Sequence, residues 1–278
     1  MPDRLVWLLR HFNLRARVFQ AGVLNCNASF EAQSGLGYLH VLKSGKVEIT
    51  PQGHDPILVD DPSVLFFMNP TQHRVQPAAT GCSMVCATFE FGLDEGNPLL
   101  EALPELTLVR LGDAPILGLT LRQLFTESEE DHCGKQAVLD RLCEVALVLV
   151  LRDLMDQHRL DVGLLAGLAD TRLARAINAM HAEPNRNWTL EALAGEAGMS
   201  RARFAVHFRD TVGMTPGDYL GEWRVGLAQS MMLKGMPLKS VAGEVGYGSA
   251  SALSRAFLAR RGKTPTTWLR EHGTKCSP

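Results

Sequence analysis

The chain repeats itself near its C-terminus, and this repeat constrains its fold more than any other feature. Residues 200–216 read SRARFAVHFRDTVGMTP and residues 249–265 read SASALSRAFLARRGKTP, with Ser, Phe, Gly and Thr-Pro matched at a spacing of 49. Upstream, LAGEAGM at 193–199 matches VAGEVGY at 241–247 at a spacing of 48, so the second copy carries one extra residue, Gly248. A repeat of this kind indicates a duplicated supersecondary unit.

Each copy has the start and stop signals of a helix-turn-helix unit. In the first copy, Thr189 is placed to cap a short helix, Gly198 to form a turn and Ser200 to cap a second helix. In the second copy, Pro237 suits the first turn of a helix and Ser249 caps the next. Each Thr-Pro pair then begins a further helix. Two such units on one connecting helix place two recognition helices in successive major grooves of DNA, about 34 Å apart.

Charge is distributed unevenly along the chain. Residues 170–278 contain 15 Lys or Arg and 9 Asp or Glu, whereas residues 1–169 contain 13 and 21. The C-terminal part therefore carries a formal charge of +6 and the N-terminal part −8, which together give the net charge of −2. A basic module beside an acidic one favours a polyanion as the partner of the C-terminal part, although a chance imbalance gives the same count.

The double unit resembles that of the AraC/XylS family of bacterial transcription regulators. The resemblance covers about residues 171–271 and rests on VAGEVGYGSASALSRAFLARRGKTPTTW in the second copy and on SRARFAVHF and TVGMTP in the first. It implies a sequence-specific transcription regulator that binds double-stranded DNA at a promoter site. It also implies contact with RNA polymerase if the chain is an activator.

The second helix of each copy turns one face away from its core residues, which are Phe204 and Phe208 in the first copy and Leu253 and Phe257 in the second. Members of the family often carry a basic residue where this chain has Val206, so the tip of the first helix is apolar here. The arginines of the first helix also fit a solvated helix face. The predicted DNA-binding residues are Arg201, Ala202, Arg203, Ala205, Val206 and Arg209, with Ala250, Ser251, Ser254 and Arg255 in the second copy.

The N-terminal part has the pattern of β-structure. Between about residues 36 and 91, short apolar runs alternate with turn residues, which predicts an antiparallel sandwich or barrel. These runs resemble the cupin-type sensor domain of one AraC subgroup, through LHVLKSGKVEI, VLFFMNPTQHRV and CSMVCATFEF. The predicted class is α+β. It consists of a cupin-like antiparallel β-barrel at 1–100, a helical connector at 101–169 and an all-α double helix-turn-helix domain at 170–278.

Histidines in this domain raise the question of a metal site. Metal-dependent cupin enzymes resemble one another in an HxH pair, which this chain lacks because Tyr38 and Leu42 flank His40. His40, His73 and Cys86 would still suit zinc, since imidazoles and a thiolate are good zinc ligands. Hydrogen bonds in the core are the alternative for each histidine. We therefore expect a regulator and not an enzyme, with a cupin metalloenzyme carrying an appended DNA-binding module as the alternative.

Cysteine oxidation is a second candidate signal, because part of the cupin-sensor subgroup that the chain resembles senses oxidants through cysteine. The six cysteines form no CxxC pair and indicate reduced thiols in a cytosol. Cys82 and Cys86 would lie about 13 Å apart on one strand. That distance is too long for a disulfide, so Cys82 would need a partner such as Cys26. Inert buried thiols are the alternative.

A small organic effector inside the barrel is the third candidate signal. Phe66, Met68 and Phe89 are predicted to line its pocket, because barrels of this kind are wide enough to hold small ligands. Such side chains in strands also form plain hydrophobic core. A regulator that has no ligand and is controlled by its abundance alone is a further alternative.

An amphipathic helix is predicted between the two parts. Its apolar stripe consists of Leu139, Leu142, Cys143, Ala146, Val150 and Leu154. This stripe can pack on the barrel or on a second subunit, so a homodimer is one of two interpretations.

The longest apolar run, VALVLVL at 145–151, is too short to cross a bilayer, and the N-terminus has no apolar core of signal-peptide length. We expect a cytoplasmic protein without a membrane partner.

Overall fold

The structure is a computed structural model, and it describes residues 3–11, 14–33, 35–67, 71–91, 104–157 and 162–272. These residues form two compact units. The sheet unit comprises residues 14–91 and 104–157, and the helical unit comprises the described residues before 14 and after 157. In the described part of the chain, no helix is long and apolar enough to cross a membrane.

The sheet unit is built on seven antiparallel strands. They are β1 Leu14–Leu24, β2 Ala28–Phe30, β3 Gly37–Pro51, β4 Ile57–Val59, β5 Ser63–Phe67, β6 His73–Phe91 and β7 Leu106–Arg110. The hydrogen-bonded order is β1-β6-β3-β5-β7, with β2 paired to β6 and β4 paired to β3. The predicted α+β class, with a cupin-like β-rich N-terminal part and a helical C-terminal part, is confirmed. The predicted barrel is open over the described strands, because β1 and β7 end the path without pairing to each other.

The helices have the following bounds. The sheet unit contains α2 Pro115–Glu129 and α3 Lys135–Asp156. The helical unit contains α1 Val6–His11, α4 Leu164–Ala169, α5 Leu173–Ala182, α6 Leu190–Glu196, α7 Arg201–Val212, α8 Pro216–Leu233, α9 Leu238–Glu244, α10 Ala250–Arg261 and α11 Pro265–His272. The domain boundaries at residues 100 and 169 stay a prediction.

One face of the sheet, here called the inner face, carries a buried apolar cluster. Side chains at alternate positions of a strand point to opposite faces. His40 therefore points to the inner face, because it lies between Tyr38 and Leu42, which both belong to the cluster. Phe66 points to the opposite face, because it lies between two cluster members of β5. The cluster consists of Leu24, Tyr38, Leu42, Val47, Ile49, Val59, Leu65, Phe67, Val75, Cys82, Met84 and Cys86.

Helix α3 covers the free edge of β1. The backbone N–H of Ala16 donates to Glu144 Oε1 at 3.2 Å, and the backbone N–H of Val18 donates to Asp140 Oδ1 at 2.7 Å. The Gln136 side chain donates to the Val18 carbonyl at 2.8 Å. These bonds satisfy backbone groups that would otherwise be open to pairing with another chain.

The caps predicted for the repeat are present with one difference. Thr189 accepts a hydrogen bond from the Ala192 N–H at the start of α6, and Ser249 accepts one from the Ala252 N–H at the start of α10, both at 3.1 Å. Ser200 occupies the N-cap position of α7, but its side chain makes no cap hydrogen bond. The two units are helix-turn-helix units, as the sequence predicts.

The turn of the second copy needs a glycine. Gly246 has a φ of +85°, and a Cβ there would lie 2.7 Å from Asn185 Cα and 2.8 Å from the Pro184 carbonyl oxygen. Both the left-handed backbone and the close approach exclude a side chain. Pro237 is the N-cap of α9, one position before the first turn in which the sequence places it.

Helix α8 holds both copies. The Arg224 guanidinium donates to the Pro184 carbonyl at 2.7 Å and to the Arg186 carbonyl at 3.0 Å, just before the first copy. Glu222 pairs with Arg260 and Arg261 at the end of α10, at 3.3 and 2.7 Å. These contacts attach α10, and the segment that leads into the first copy, to the same helix, α8.

Candidate DNA interface and sensor site

The residues predicted to face DNA lie on the open side of α7. Phe204 and Phe208 are fully buried, and Val206 on the opposite side is 53% exposed. The helix thus exposes small apolar side chains and three arginines to solvent. Arg201, Ala202, Arg203 and Arg209 are exposed, and Ala205 is half-buried.

Helix α10 has the same arrangement with different chemistry. Leu253 and Phe257 are fully buried. Of the predicted residues, Ser251 and Arg255 are exposed, while Ala250 and Ser254 are half-buried. DNA contact by the residues of both helices stays a prediction.

The spacing of 49 places Val206 of α7 and Arg255 of α10 at equivalent positions of the two recognition helices. Four positions of the exposed faces can be compared between the two helices. Three of them are apolar in α7 and polar in α10, and one is polar in α7 and apolar in α10. The equivalent pairs are Ala202 and Ser251, Ala205 and Ser254, Val206 and Arg255, and Arg209 and Leu258.

An ion pair and a hydrogen bond to a carboxylate tie α7 to its neighbours. Arg201 Nη1 lies 3.0 Å from Glu191 Oε1 on α6. His207 Nε2 lies 2.7 Å from Asp170 Oδ2. Burial alone would raise the pKa of Asp170, but the Leu173 N–H and His207 hydrogen-bond to the carboxylate and hold its pKa below the usual value. This pair was not predicted from the sequence, although Asp170 before an apolar-periodic run is a helix-capping signal.

A shallow apolar groove of about 400 Å³ lies beside α7. Val206 and Ala205 form one wall, and Trp188, Pro216 and Leu220 belong to the other elements of the first copy. The apolar surface of the α7 tip therefore continues into the adjoining elements.

A hydrogen-bonded histidine pair lies on the inner face of the sheet unit. His40 Nε2 and His73 Nε2 are 2.7 Å apart, and His73 Nδ1 lies 2.8 Å from the Thr71 carbonyl. A carbonyl only accepts, so His73 Nδ1 carries the proton and the neutral ring accepts from His40 Nε2–H. This leaves His40 Nδ1 as a buried acceptor without a hydrogen-bond partner among the described residues.

Both rings of the pair are held neutral. Burial, helped by the neighbouring His73, lowers the pKa of His40 well below its usual value. Burial also lowers the pKa of His73, against an opposing effect of the Thr71 carbonyl. Phe67 stacks on His73 at a centroid distance of 4.1 Å, and Phe30 stacks on its ring at 5.0 Å. The two imidazoles are thus polar groups surrounded by aromatic side chains, here called the aromatic enclosure.

The predicted zinc site of His40, His73 and Cys86 is not formed. Two nitrogen ligands of one tetrahedral zinc at about 2.0–2.1 Å would lie roughly 3.3 Å apart, but these atoms are at hydrogen-bond distance. Within the described ranges, no group of three or more His, Cys, Asp or Glu side chains is arranged to hold a metal ion. The other interpretation, hydrogen-bonded core histidines, fits the geometry.

The thiols differ in accessibility. Cys26 is exposed, whereas Cys82 and Cys86 are buried on the inner face. Burial raises the pKa of Cys82 and, more strongly, that of Cys86, and it raises the pKa of Cys143 to about 12. Protonated, buried thiols react slowly with oxidants. The β1–β6 ladder ends at the pair Leu24 and Cys82, so Cys26 follows that end by two residues.

The predicted effector-pocket residues need a correction. Phe66 and Phe89 stack on each other at 4.7 Å on the face opposite to the histidine pair, so they do not line the inner face. Phe66 lies between Leu65 and Phe67, which point to the inner face, so the alternation along the strand turns Phe66 to the other face. Met68 lies outside the described residues.

A cavity of about 720 Å³ opens at one end of the inner face. Phe19, Phe30 and Tyr38 give it aromatic walls, and Arg17 and Glu31 lie at its rim. Phe30 and Tyr38 also pack against the histidine pair, with centroid distances of 5.0 and 5.1 Å to the His73 ring. This end of the sheet therefore combines apolar walls, charged groups and a nearby buried polar pair.

Helix α3 has two apolar stripes. The predicted stripe is buried in the unit, apart from the half-buried Leu142. A second stripe, here called the outer stripe, runs along Val138, Leu142, Val145 and Leu149 with steps of four, three and four. Val138 and Val145 are exposed and the two leucines are half-buried. Such spacing is the heptad pattern of helices that pair with a second helix.

Two family models match the chain. A model described as cupin matches residues 3–156, and a model described as helix-turn-helix domain matches residues 193–271. The first covers the described sheet unit, and the second covers both recognition helices.

The chain is similar to several proteins described as transcription regulators. A protein of Streptomyces lividans described as an AraC-like transcription regulator is 36% identical over 67% of this chain and 62% of its own length. The RCS-specific HTH-type transcriptional activator RclR of Escherichia coli strain K12 is 28% identical over 81% of each chain. The matched stretch spans about three fifths of the length of the first curated relatives. The solved structure of ToxT from Vibrio cholerae O395 is 12% identical with a TM-score of 0.42, over 94% of this chain and 98% of that chain.

Proposed function

Because the chain belongs to the cupin family over residues 3–156 and ends in an AraC-type helix-turn-helix domain, we propose that it is a DNA-binding transcription regulator. One observation carries this proposal. The connector α8 is bonded through Glu222 to the recognition helix of the second unit and through Arg224 to the segment that leads into the first unit. Fixed in this way, two exposed recognition helices suit one DNA site with two half-sites.

The DNA proposal is tested by fluorescence anisotropy with a duplex selected from a random pool. We expect saturable binding whose affinity falls as salt rises, because arginines displace counterions from phosphates. Arg255→Ala should weaken binding by about fivefold to 150-fold, since an arginine that forks onto a guanine is worth about 1–3 kcal/mol. Val206→Ala should weaken it less.

Arg122→Ala is the matched control, because Arg122 is an exposed arginine of the sheet unit. It should leave the affinity unchanged. Failure to select any duplex, or equal losses for the variants of Arg255 and Arg122, would contradict the proposal.

We propose that the sheet unit receives the signal. The signal would be a small and mainly apolar molecule that binds in the cavity beside Phe19, Phe30 and Tyr38. The aromatic walls favour an apolar body, and the buried His40 Nδ1 is an acceptor within the same aromatic enclosure. Binding there would bias the population of DNA-competent states.

A thermal-shift screen of small aromatic alcohols and acids tests this signal site. Thr88→Trp should weaken or abolish any stabilisation, because Thr88 lines the cavity opposite Tyr38 of β3 and an indole there would occupy part of the space. Leu58→Trp, on the exposed side of β4 and outside the lining, is the control. Stabilisation that survives Thr88→Trp would place the ligand elsewhere.

An oxidant is the second candidate signal, favoured by the description of the E. coli relative as RCS-specific. It would act first at Cys26, which is exposed and lies near the end of the ladder that contains Cys82. Loss of an oxidant-dependent change in DNA affinity in Cys26→Ser, but not in Cys133→Ser, would support it. An unchanged response in Cys26→Ser would contradict it.

Further parts of the proposal concern partners. The outer stripe of α3 would pair with the same stripe of a second copy, giving a homodimer with a two-fold interface. A regulator that acts on promoters would work in the cytoplasm and, as an activator, would contact RNA polymerase. We propose a regulator and not an enzyme because the curated relatives are described as transcription regulators.

A further inference from the structure

We propose that the first recognition helix, α7, reads thymine through its C5-methyl groups, whereas α10 reads its half of the site through hydrogen bonds. The inference rests on the proposed DNA-binding function and specifies the base that each copy selects. It follows from the chemistry that the two equivalent faces expose.

Recognition helices place their N-terminal residues against base edges in the major groove. On α7 these residues are Ala202, Ala205 and Val206, whose side chains have no hydrogen-bond donor or acceptor. Arg201 is paired with Glu191 at 3.0 Å. Arg209 lies 3.8 Å from Asp210 and nearly one turn further along the helix than Val206. Arg203 is exposed as well, but it lies to the side of the face centred on Val206, where its guanidinium is placed for a phosphate. The face of α7 that points most directly away from the core therefore meets bases through van der Waals contact.

Thymine is the base that offers an apolar group in the major groove, its C5-methyl group. Val206 is 53% exposed, and its isopropyl group can cover such a methyl. The groove formed with Trp188, Pro216 and Leu220 extends the apolar surface around it. A cytosine or guanine edge there would lose hydrogen bonds to water and gain none in exchange.

The second copy has the opposite chemistry at the same positions. Ser251, Ser254 and Arg255 carry donors, and Arg255 is exposed at the position equivalent to Val206. Such side chains can discriminate by hydrogen bonds, most strongly against a base that is not guanine. The two copies of the repeat therefore recognise bases by different interactions, van der Waals contact in the first and hydrogen bonds in the second.

The test replaces thymine with uracil, which removes the methyl group and keeps every hydrogen-bonding atom of the base edge. A duplex selected by the wild-type chain is used, and Arg255→Ala identifies the α10 half-site as the one whose base preference relaxes. Uracil is then placed in each half-site in turn. We expect each contacted methyl of the α7 half-site to be worth about fourfold in affinity, the effect of burying one such group.

Val206→Ala provides the coupled measurement. The affinity ratio between thymine and uracil duplexes should fall towards one in this variant at the α7 half-site, and it should be unchanged at the α10 half-site. Val206 is exposed, so the substitution leaves the core of α7 intact. Arg255→Ala is the converse control, because it should leave the uracil effect at the α7 half-site unchanged.

Equal affinities for thymine and uracil duplexes at the α7 half-site would overturn the inference, while the DNA-binding function would stand. A uracil effect that Val206→Ala does not alter would also overturn it, because another group would then contact the methyl. Selection that yields no bound duplex would instead contradict the proposed function itself.

Discussion

The Glu222 carboxylate of α8 lies 2.7 Å from the Arg261 guanidinium of α10, and the Arg261 side chain is only 6% exposed. The same guanidinium donates to Gln229 Oε1 at 3.2 Å, also on α8. Because Glu222 and Gln229 of α8 both bind the nearly buried Arg261 guanidinium, these contacts fix the angle between α8 and α10. The orientation of the second recognition helix thus depends on a charge on the connector.

Glu222→Gln should destabilise the helical unit by about 2–4 kcal/mol, because it removes the carboxylate charge 2.7 Å from the nearly buried Arg261 guanidinium. The cost is somewhat below that of a fully buried pair, since Glu222 is partly exposed. All four tryptophans, at 7, 188, 223 and 268, belong to the helical unit, so tryptophan fluorescence in urea reports on this unit alone. Glu183→Gln, which breaks the exposed pair with Arg186, is the control and should cost under about 1 kcal/mol. Equal costs would show that Glu222 is no more than a surface charge.

Asp170→Asn tests the hydrogen bond between the Asp170 carboxylate and His207. Asparagine keeps a capping oxygen for the Leu173 N–H but removes the charge. The pKa of Asp170 is lower in the folded chain, so its stabilising effect is present above the usual carboxyl range and disappears as pH falls through the folded pKa. Wild type should be the more stable at neutral pH, and the difference should vanish in acid. A pH-independent difference in urea midpoint would contradict this account.

The histidine pair predicts a second pH dependence, in the sheet unit. The pKa values of His40 and His73 are lower in the folded state, so the unfolded chain binds protons first as pH falls below about 6.5. Stability should therefore fall from pH 7 to pH 5, by about 1 kcal/mol per unit for each proton taken up. Circular dichroism in the β-sheet region measures it, since the tryptophans lie in the other unit.

His40→Gln should flatten this dependence, because glutamine can donate to His73 Nε2 and does not titrate in this range. His54→Gln is the matched control, since His54 is exposed and pairs with Glu105 at the surface. A slope that His40→Gln leaves intact would mean that the pair is not the titrating group.

Val145→Glu should convert a dimer into a monomer, because it puts a charge in the middle of the outer stripe of α3. Val145 is 47% exposed, so the fold should tolerate the change. Leu58→Glu, at an exposed apolar residue of β4, is the control and should stay dimeric. Sedimentation equilibrium gives the masses. A wild-type monomer at tens of micromolar, or a dimeric Val145→Glu, would contradict the proposed interface.

Alkylation should separate the thiols of the described residues. Iodoacetamide should label Cys26 and Cys133 quickly in the folded chain, because both are exposed. Cys86 should react only after unfolding, since burial raises its pKa and hides the sulfur. Timed mass spectrometry of peptides measures this order. Rapid labelling of Cys86 would show that the inner face opens often.

The helical unit could be predicted because its signals are local. Thr189, Ser249 and the Thr-Pro pairs fix helix starts within a few residues of the chain, and the repeat supplies each signal twice. The strand β1 had a usable signal that was missed, the alternation of Leu14, Ala16 and Val18.

The sensor site could not be predicted in the same way because it depends on pairing between distant strands. In the β3–β6 ladder His40 is opposite Cys86 and His73 is opposite Pro51, so the contact of the two histidines is not a cross-strand pair and depends on how the whole sheet curves. The positions of Phe66 and Phe89 failed for a related reason, since one residue of register moves a side chain to the other face. Burial of the thiols likewise follows from the tertiary fold.

Hydroxyl-radical footprinting of the full chain on its selected duplex tests the central claim most directly. Two helix-turn-helix units on one connector predict two protected windows on one face of the DNA, about one helical turn apart. Glu222→Gln should weaken the window of α10 and leave that of α7. A single protected window, or none, would contradict a regulator that reads one site with both copies of the repeat.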